Sequence, residues 1–379
     1  MCLKYYLLYK SFYDICILYL VCKTFLRVSM RKIVIIGAGM MGSALVFPAM
    51  ENGNEVHLVG TPIGCKNIDV CVETGKHPKL DRPFPKGAFY HQFDNWKSAV
   101  TGADFIICGV SSFGVNWFLD NVLMELDPSV PVLSVTKGLM SLDDGSLISY
   151  PEYWKRELSK KGIDREICAV GGPCTSRDLV AGDHTVVAIC GHETKVVNMM
   201  KEALQTSYYH ISVTNDVEGL EIAVAIKNCY ALAVAMSIGL QKQDFGQNEI
   251  SHYNSHAVAF YQALKEMRRI LEIHNACEES ENIGIADLYL TIYGGRTREA
   301  GLLLGEGKSY NEVMEILSGM TLEGFVAVRT LYEAMSRKQD RGIVSLNDFP
   351  LLCHLAAVID EGKDAHLPWE NFTFDKANS

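Results

Sequence analysis

One stretch near the start of the chain limits its fold more than any other. The apolar run Lys32–Ile36 predicts a β-strand, Gly37-Ala-Gly39-Met-Met-Gly42 follows at once, and a helical run continues from Ser43. The first glycine permits a tight turn, the second lets the backbone approach a pyrophosphate, and the third lets the helix lie close to the strand. Helix N-terminal N–H groups then face the anion. A glycine-rich turn of another α/β protein is the alternative to a Rossmann nucleotide site, which we expect at Gly37, Gly39, Met40, Met41 and Gly42.

Composition narrows the class of protein further. The 379 residues are enough for two domains, each with its own core. The net charge is −10 and no long Lys/Arg run appears, which argues against a nucleic-acid partner. A small anionic substrate would instead need a local cluster of positive charge. The 12 cysteines are scattered without a C-x-x-C pair, so we expect reduced thiols and a cytoplasmic location.

Residues 1–29 differ from the rest of the chain. They are rich in Tyr, Leu and Cys, and their longest unbroken apolar stretch, Ile15–Cys22, is too short to span a bilayer. No small-residue cleavage site of a signal peptide precedes Met30. We expect 1–29 to be a non-native or disordered extension, with Met30 as the true start and no stable membrane insertion. A membrane-surface helix is the alternative.

Strand and helix patterns alternate after Met30, which predicts a parallel sheet. The later strands are expected at Glu55–Val59, Asp104–Val110, Val130–Thr136, Cys168–Gly171, Thr185–Ile189 and Tyr209–Val213. A long Ala/Val/Ile-rich helix follows from Asp216 to Leu240, and few strand signals appear beyond it. We therefore predict an α/β fold, with an N-terminal Rossmann dinucleotide-binding domain at 30–214 and a C-terminal all-helical substrate-binding domain at 215–379.

The end of the second strand bears on cofactor choice. An NAD site usually has Asp or Glu about twenty residues past the glycines, to accept hydrogen bonds from the ribose hydroxyls. Here that place is Val59-Gly60-Thr61-Pro62. Without a carboxylate to repel a 2′-phosphate, either NAD or NADP is allowed. Lys66 is a candidate to reach that phosphate, although a surface lysine in a loop is usually only solvated.

Two charged positions in apolar surroundings predict a catalytic pair. Lys227 lies inside an apolar helix, where an ammonium is costly unless it is paired or its pKa falls. Asp287 and Thr291 are four residues apart on a predicted helix and share a face. Asp287 is therefore the expected partner of Lys227, and Thr291 is placed to hydrogen-bond a substrate. A purely structural ion pair is the alternative.

Two further positive side chains stand at places suited to a ligand. Lys137 follows a strand, at the edge where open α/β sheets bind ligands. Arg296 follows two glycines that let its backbone approach a ligand, and a guanidinium fork suits phosphate. Arg298 is either a second clamp or a solvated charge. Phe113 either packs on a nicotinamide ring or belongs to the core.

The order of five short strings carries a resemblance to a known family. They are Ser134-Val-Thr-Lys137-Gly138, Gly171-Gly-Pro-Cys174, Glu221-Ile-Ala-Val-Ala-Ile-Lys227-Asn228, Ala286-Asp287-Leu-Tyr-Leu-Thr291 and Gly294-Gly-Arg296-Thr-Arg298. Over almost all of the chain after Met30, this order resembles NAD(P)-dependent glycerol-3-phosphate dehydrogenase. The chain departs from the family's usual residues at Thr297, Cys174 and Ser111-Ser112, which puts the exact substrate in doubt.

The resemblance implies a role for each matching position. The reaction would be reversible hydride transfer between sn-glycerol 3-phosphate and dihydroxyacetone phosphate, feeding glycerophospholipid synthesis. Lys227 would be the general acid and base, Asp287 would tune it, and Lys137 would lie beside the reacting carbon. Arg296 would hold the phosphate of a small phosphorylated substrate. The other implied contacts are Asn228, Thr291 and Thr297 with the substrate, and Phe113, Lys137, Arg296 and Glu323 with the cofactor. A homodimer is allowed, although the sequence does not fix the oligomeric state.

Two other functions and one other site remain as alternatives. A ketopantoate-reductase-like 2-oxo-acid reductase also combines a Rossmann domain, a helical domain and a lysine acid, but it has less need of the Gly-Gly-Arg turn. A dinucleotide-sensing protein without turnover is disfavoured by the retained Lys137, Lys227 and Asp287. His252 and His256 have the spacing of metal ligands, yet no nearby Glu, Asp or Cys completes a set, so no metal is expected.

Overall fold

Strands and helices alternate as far as residue 214, and the described residues beyond that point form helices and no strands. The computed structural model describes residues 30–245, 253–320 and 322–372. The predicted extension 1–29 and His252 lie outside the described residues. The strands are β1 Lys32–Ile36, β2 Glu55–Val59, β3 Phe89–His91, β4 Phe105–Cys108, β5 Val132–Ser134, β6 Leu139–Ser141, β7 Leu147–Ser149, β8 Ile167–Gly171, β9 Thr185–Cys190 and β10 Tyr209–Thr214.

Seven helices alternate with these strands and seven follow them in the part of the chain that the structure describes. The first group is α1 Met40–Glu51, α2 Cys65–Thr74, α3 Trp96–Val100, α4 Val115–Phe118, α5 Tyr150–Ser159, α6 Ser176–Ala181 and α7 Thr194–Leu204. The second group is α8 Val217–Phe245, α9 Tyr253–Ile273, α10 Glu278–Thr291, α11 Arg296–Gly305, α12 Tyr310–Ile316, α13 Glu323–Asp340 and α14 Pro350–Asp360.

Eight strands form one sheet in the order β10-β9-β8-β5-β4-β1-β2-β3. Strand β1 lies in the interior of the sheet and pairs in parallel with both β2 and β4. Its side chains are buried on both faces, with Ile33 and Ile35 in one apolar cluster and Val34 and Ile36 in another. A strand covered on both faces is expected to be a continuous apolar run, as this one is.

The prediction of a wholly parallel sheet is wrong at one junction. Strand β9 pairs antiparallel with β8, so that Ala169 faces Cys190, and β10 then pairs parallel with β9. The helix between β8 and β9 is α6, which has 6 residues. Such a helix is about 9 Å long, whereas a five-residue strand is about 16 Å long. The chain therefore does not return to the amino end of β8. Strand β9 instead starts near the carboxyl end of β8 and runs in the opposite direction.

Helix α8 is the centre of the helical region. Among the described residues, it is the one helix long and apolar enough to cross a membrane, and 89% of its most apolar window is buried inside the protein. Helices α9, α10, α11 and α13 all pack against it. A helix enclosed in this way has no polar face, which accounts for its apolar sequence.

Small residues let α11 approach α8 unusually closely. A Cβ atom added to Gly301 would lie 2.5 Å from the Leu232 carbonyl oxygen, and one added to Gly305 would overlap the Met236 carbonyl oxygen. On α8, a Cβ added to Gly239 would overlap the Leu302 carbonyl oxygen. This contact fixes the position of the first turn of α11, where Arg296 and Thr297 lie.

We expect Gly301→Ala to lower the free energy of unfolding by about 1–3 kcal/mol, because the added methyl group forces the two helix backbones apart. Urea denaturation measures this loss. Gly294→Ala is the matched control, since a Cβ added there meets nothing within 4 Å. Equal stabilities of the two variants would contradict the close helix contact.

Candidate active site

The three glycines of the turn between β1 and α1 have different roles. Gly37 has a φ of 121°, and a Cβ added there would lie 2.5 Å from the Gly109 carbonyl carbon. A Cβ added to Gly42 would overlap the Gly37 carbonyl oxygen. Beside Gly39, however, the nearest atom is the Gly109 carbonyl oxygen at 3.7 Å. Gly37 and Gly42 therefore permit the fold, whereas Gly39 leaves room for a bound group.

The start of α1 has the electrostatic character of an anion site. Met40 and Met41 form its first turn, Gly39 provides no side-chain cap, and the first turn has no acidic residue. Its N–H groups and the positive end of its dipole therefore suit a pyrophosphate. The sequence analysis missed Gly109, which follows β4 and packs against both Gly37 and Gly42. Its only signal was a glycine directly after the apolar run Phe105–Cys108.

The carboxyl end of β2 forms a tight turn without a carboxylate. The Gly60 N–H donates to the His91 carbonyl oxygen at 2.9 Å, and the Gly64 N–H donates to the Thr61 carbonyl oxygen at 2.8 Å. Lys66 is exposed and lies in the first turn of α2, not in a loop. The turn thus offers a backbone surface and one nearby ammonium group where the adenosine ribose of a dinucleotide would lie.

Asp287 holds two lysines that come from distant parts of the chain. Its Oδ2 atom lies 2.8 Å from the Nζ atom of Lys137, which follows β5. Its Oδ1 atom is paired with the Nζ atom of Lys227, in the middle of α8. Lys137 also donates to the Gly172 carbonyl oxygen at 3.2 Å. The Lys227–Asp287 pair is as predicted, whereas the sharing of Asp287 with Lys137 was not foreseen.

This arrangement gives the two lysines different proton affinities. Burial, reinforced by the positive charge of Lys137, lowers the pKa of Lys227 to about 8, although Asp287 opposes the shift. Burial also disfavours the charged form of Lys137, but the attraction of Asp287 outweighs it and raises the pKa of Lys137. Lys137 therefore remains an ammonium, and Lys227 is able to exchange a proton near neutral pH.

The residues expected to bind substrate phosphate lie at the start of α11. Arg296 is exposed, and Thr297 is buried with its Oγ1 atom 3.5 Å from Oδ1 of Asn228. Gly295 precedes them with a φ of 89°, a backbone conformation that favours glycine. The Thr291 hydroxyl donates to the Asp287 carbonyl oxygen at 2.7 Å. Thr291 can therefore offer a substrate only its acceptor lone pairs.

A cleft opens beside Lys137, and Lys227 and Asp287 are not among the residues that line it. Several of the predicted residues line it, namely Phe113, Lys137, Asn228 and Glu323, together with Tyr150, which the sequence analysis missed. The Phe113 side chain is 78% exposed, so it is not the core aromatic that was the alternative. Arg296 and Thr291 do not line this cleft. No group of three or more His, Cys, Asp or Glu side chains within the described ranges could hold a metal ion.

Comparisons with known proteins identify the family of this chain. Residues 32–197 match the family model of the N-terminus of NAD-dependent glycerol-3-phosphate dehydrogenase, and residues 216–369 match the model of its C-terminus. An NADP(+)-dependent glycerol-3-phosphate dehydrogenase of Archaeoglobus fulgidus is 30% identical over 309 residues, which cover 80% of this chain and 89% of that protein. The chain belongs to the NAD-dependent glycerol-3-phosphate dehydrogenase family. The family resemblance and the predicted α/β fold with a helical C-terminal region are confirmed.

Solved structures give the same fold. Glycerol-3-phosphate dehydrogenase of Plasmodium falciparum superimposes with a TM-score of 0.76 at 20% identity, covering 92% of this chain and 97% of that one. A ketopantoate reductase of Ralstonia eutropha gives a TM-score of 0.52 at 17% identity, covering 88% and 100% of the two chains. At these identities the likeness concerns the fold alone.

The two glycines of the turn should respond differently to the same substitution. We expect Gly39→Val to weaken cofactor binding at least tenfold while the unfolding midpoint stays near that of the wild type, because the side chain fills open space. Gly37→Val should instead destabilise the fold through its overlap with Gly109. Cofactor titration and thermal unfolding of both variants measure the difference. Unimpaired binding by Gly39→Val would contradict the placement of the pyrophosphate.

Proposed function

We propose that this chain catalyses the reversible NAD(P)-dependent interconversion of sn-glycerol 3-phosphate and dihydroxyacetone phosphate. The single observation that carries the proposal is the sharing of Asp287 by Lys137 and Lys227 at the carboxyl edge of the sheet. Open α/β sheets bind their ligands at this edge. The glycine-rich turn at Gly39 lies in the same domain, and membership of the dehydrogenase family supports the same reaction.

Lys227 is the proposed general acid and base. Its pKa of about 8 places both of its protonation states within reach at neutral pH. In the reducing direction its ammonium gives a proton to the carbonyl oxygen, and in the oxidising direction its amine takes the hydroxyl proton back. Asp287 orients the Nζ atom and stabilises the ammonium form. Both functions need a buried carboxylate, and Asp287 is only 1% exposed.

Lys137 and the start of α11 are proposed to position the substrate. Lys137 remains charged, so it can polarise the same oxygen that receives the proton. Arg296 supplies the guanidinium that pairs with the phosphate, and the buried Thr297 and Asn228 stand beside it. Thr297 offers one hydroxyl donor where the family usually has an amide, so Arg296 carries more of the phosphate recognition here.

The nicotinamide cofactor supplies or accepts the hydride when it is bound. The described residues fit such a group, because Gly39 and the start of α1 leave a cradle for its pyrophosphate. Phe113 is exposed at the cleft and is positioned to cover a flat ring. Glu323 begins α13, also lines the cleft and is the proposed contact to the carboxamide end.

The cellular setting is also part of the proposal. The described cysteines, nine in number, are free and mostly buried, which suits a reducing compartment such as the cytoplasm. There the enzyme would supply glycerol 3-phosphate for glycerophospholipid synthesis, and a homodimer is compatible with it. A ketopantoate-reductase-like activity is the second candidate, favoured only by the shared fold, and it lacks a reason for the Gly-Gly-Arg turn before α11.

Lys227→Ala tests the proposed acid. We expect a fall in kcat of about 10²–10⁴-fold in both directions, the usual worth of general acid catalysis. Cofactor affinity should be retained, because the glycine turn lies in the other domain. Lys242→Ala is the matched control on the same helix, since Lys242 is exposed and paired with Glu306. Near-normal turnover by Lys227→Ala would refute the assignment.

Arg296→Lys tests the phosphate site. A lysine poorly replaces a bidentate guanidinium, so kcat/KM for dihydroxyacetone phosphate should fall by an amount equivalent to about 1.5–3 kcal/mol. Unphosphorylated dihydroxyacetone should be a poor substrate of both forms and should respond little. A wild-type protein that reduces 2-oxo acids better than dihydroxyacetone phosphate would favour the ketopantoate-like alternative instead.

Lys66→Ala tests cofactor choice. We expect the wild type to accept NADP in addition to NAD, because no carboxylate stands at the end of β2 to repel a 2′-phosphate. The variant should lose kcat/KM for NADP by about tenfold, the worth of one exposed charged contact, and keep its kcat/KM for NAD. The kcat/KM for NAD of the same variant serves as the control for its kcat/KM for NADP. A wild-type preference for NAD above about a thousandfold would contradict this interpretation of the turn.

A further inference from the structure

The proposed chemistry does not use Glu221, a buried carboxyl group close to the site. Glu221 lies on α8 one turn before Ala225 and two turns before Asn228, and both of these residues line the cleft. Residues at i, i+4 and i+7 share one face of a helix, so Glu221 continues the floor of the cleft inward. It is 2% exposed.

The Glu221 carboxyl has no evident structural role. Its Oε2 atom is buried and has no hydrogen-bond partner among the described residues. Glu266, on α9, is a useful contrast: its carboxylate accepts the N–H groups of Leu351 and Leu352 at 2.7 and 3.0 Å and so caps α14. An unpartnered buried polar atom costs stability. A carboxyl left in this state is a candidate for a functional role.

Three titratable groups face Glu221 from other elements. Lys137 faces it from the loop after β5, Glu152 from α5 and Cys190 from the end of β9. The Cys190 thiol is neutral, because burial raises its pKa well above the ordinary value. Glu152 is partly exposed and pairs with His192 at 3.2 Å. Lys137 is thus the positive group among these three, and it is also paired with Asp287 at 2.8 Å.

The protonation state of Glu221 changes between neutral and alkaline pH. Burial raises the pKa of Glu221 to about 8, with Lys137 opposing the shift and Glu152 adding to it. The carboxyl is therefore largely neutral at pH 7 and gains a negative charge as the solution becomes alkaline. Lys227 would begin to lose its proton over the same range.

We propose that Glu221 is a positioning residue whose negative charge, acting through Lys137, keeps the proton on Lys227 in alkaline solution. The proposal rests on Lys227 being the acid of the proposed function. Ionised Glu221 attracts the Lys137 ammonium and so partly offsets the positive charge that helps to lower the pKa of Lys227. It also competes with Asp287 for Lys137, which leaves more of the Asp287 charge to Lys227. Both effects favour the protonated form of Lys227, and the proton that Glu221 releases goes to solvent.

The pH profile of kcat/KM for dihydroxyacetone phosphate reduction tests this role, with initial rates from pH 6 to 10. Reduction needs protonated Lys227, so the rate falls as pH rises through the pKa of that lysine. Glu221→Gln keeps the neutral shape but cannot ionise. We expect it to match the wild type within about twofold below pH 7. In the variant the alkaline fall in rate should begin at a pH about half to one unit lower than in the wild type, which is the effect of one charge at an effective dielectric constant of about 20. At pH values above the start of this fall, the rate of the variant should be about three- to tenfold lower than that of the wild type.

Two control variants make the result specific. Glu218→Gln removes a carboxylate one turn earlier on α8, where Glu218 is exposed and paired with His274, and should follow the wild-type profile. Glu221→Asp keeps an ionisable group. Its rate should begin to fall at a pH closer to that of the wild type than the rate of Glu221→Gln does. An alkaline limb of Glu221→Gln that coincides with the wild type, or that moves to higher pH, would overturn the proposal.

A second measurement separates this proposal from the proposed function. The titration of Lys227 in lysine-labelled protein, followed by ¹³C NMR and assigned with Lys227→Arg, needs no substrate. A lower Lys227 pKa in Glu221→Gln than in the wild type supports the role of Glu221 even if dihydroxyacetone phosphate is not reduced. Equal Lys227 pKa values would overturn it even if the reduction is observed.

Discussion

The arrangement of the site depends on one carboxylate that neutralises two ammonium groups. Lys137 and Lys227 are brought together from the end of a sheet strand and from the central helix, and Asp287 joins them from a third element. Two lysines so little exposed would repel each other and lose hydration without it. Burial lowers the pKa of Lys227 to about 8, and the positive charge of Lys137 adds to the shift because one carboxylate cannot fully compensate two cations. Burial and incomplete neutralisation together thus produce the group that is able to exchange a proton.

The fold supports this arrangement from both sides. On the helical side, Gly301 and Gly305 hold α11 against α8, so that Thr297 reaches Asn228 next to Lys227. On the sheet side, the β6–β7 hairpin that follows Lys137 is fastened to α13. The Arg341 guanidinium donates to the Asp144 carbonyl oxygen at 2.7 Å, just past the end of that helix. The lysine from the sheet domain is therefore tied to the helical region at two points, through Asp287 and through the hairpin.

Local patterns predicted much of this structure. The glycine turn and the order of strands and helices follow from short-range signals. The Lys227–Asp287 pair follows from the need of a lysine in an apolar stretch of helix for a partner. The antiparallel direction of β9 does not follow from local patterns, because it depends on the length of α6 relative to the strands. Lys137 as a second partner of Asp287 and Gly109 as the neighbour of Gly37 are contacts between distant segments, which no spacing along the chain encodes. The hydrogen bond from the Thr291 hydroxyl to the Asp287 carbonyl oxygen is likewise not evident from the sequence.

The pKa of Lys227 tests the central claim most directly. Site-assigned ¹³C NMR titration of the wild type and of Asp287→Asn measures it without any assumption about substrate. The wild-type lysine should titrate near 8, well below the ordinary lysine value of about 10.4. The Asn variant should titrate lower still, since the carboxylate that favours the ammonium is gone while Lys137 remains. An ordinary pKa for Lys227 in the wild type, or no change in Asp287→Asn, would contradict the shared-carboxylate account.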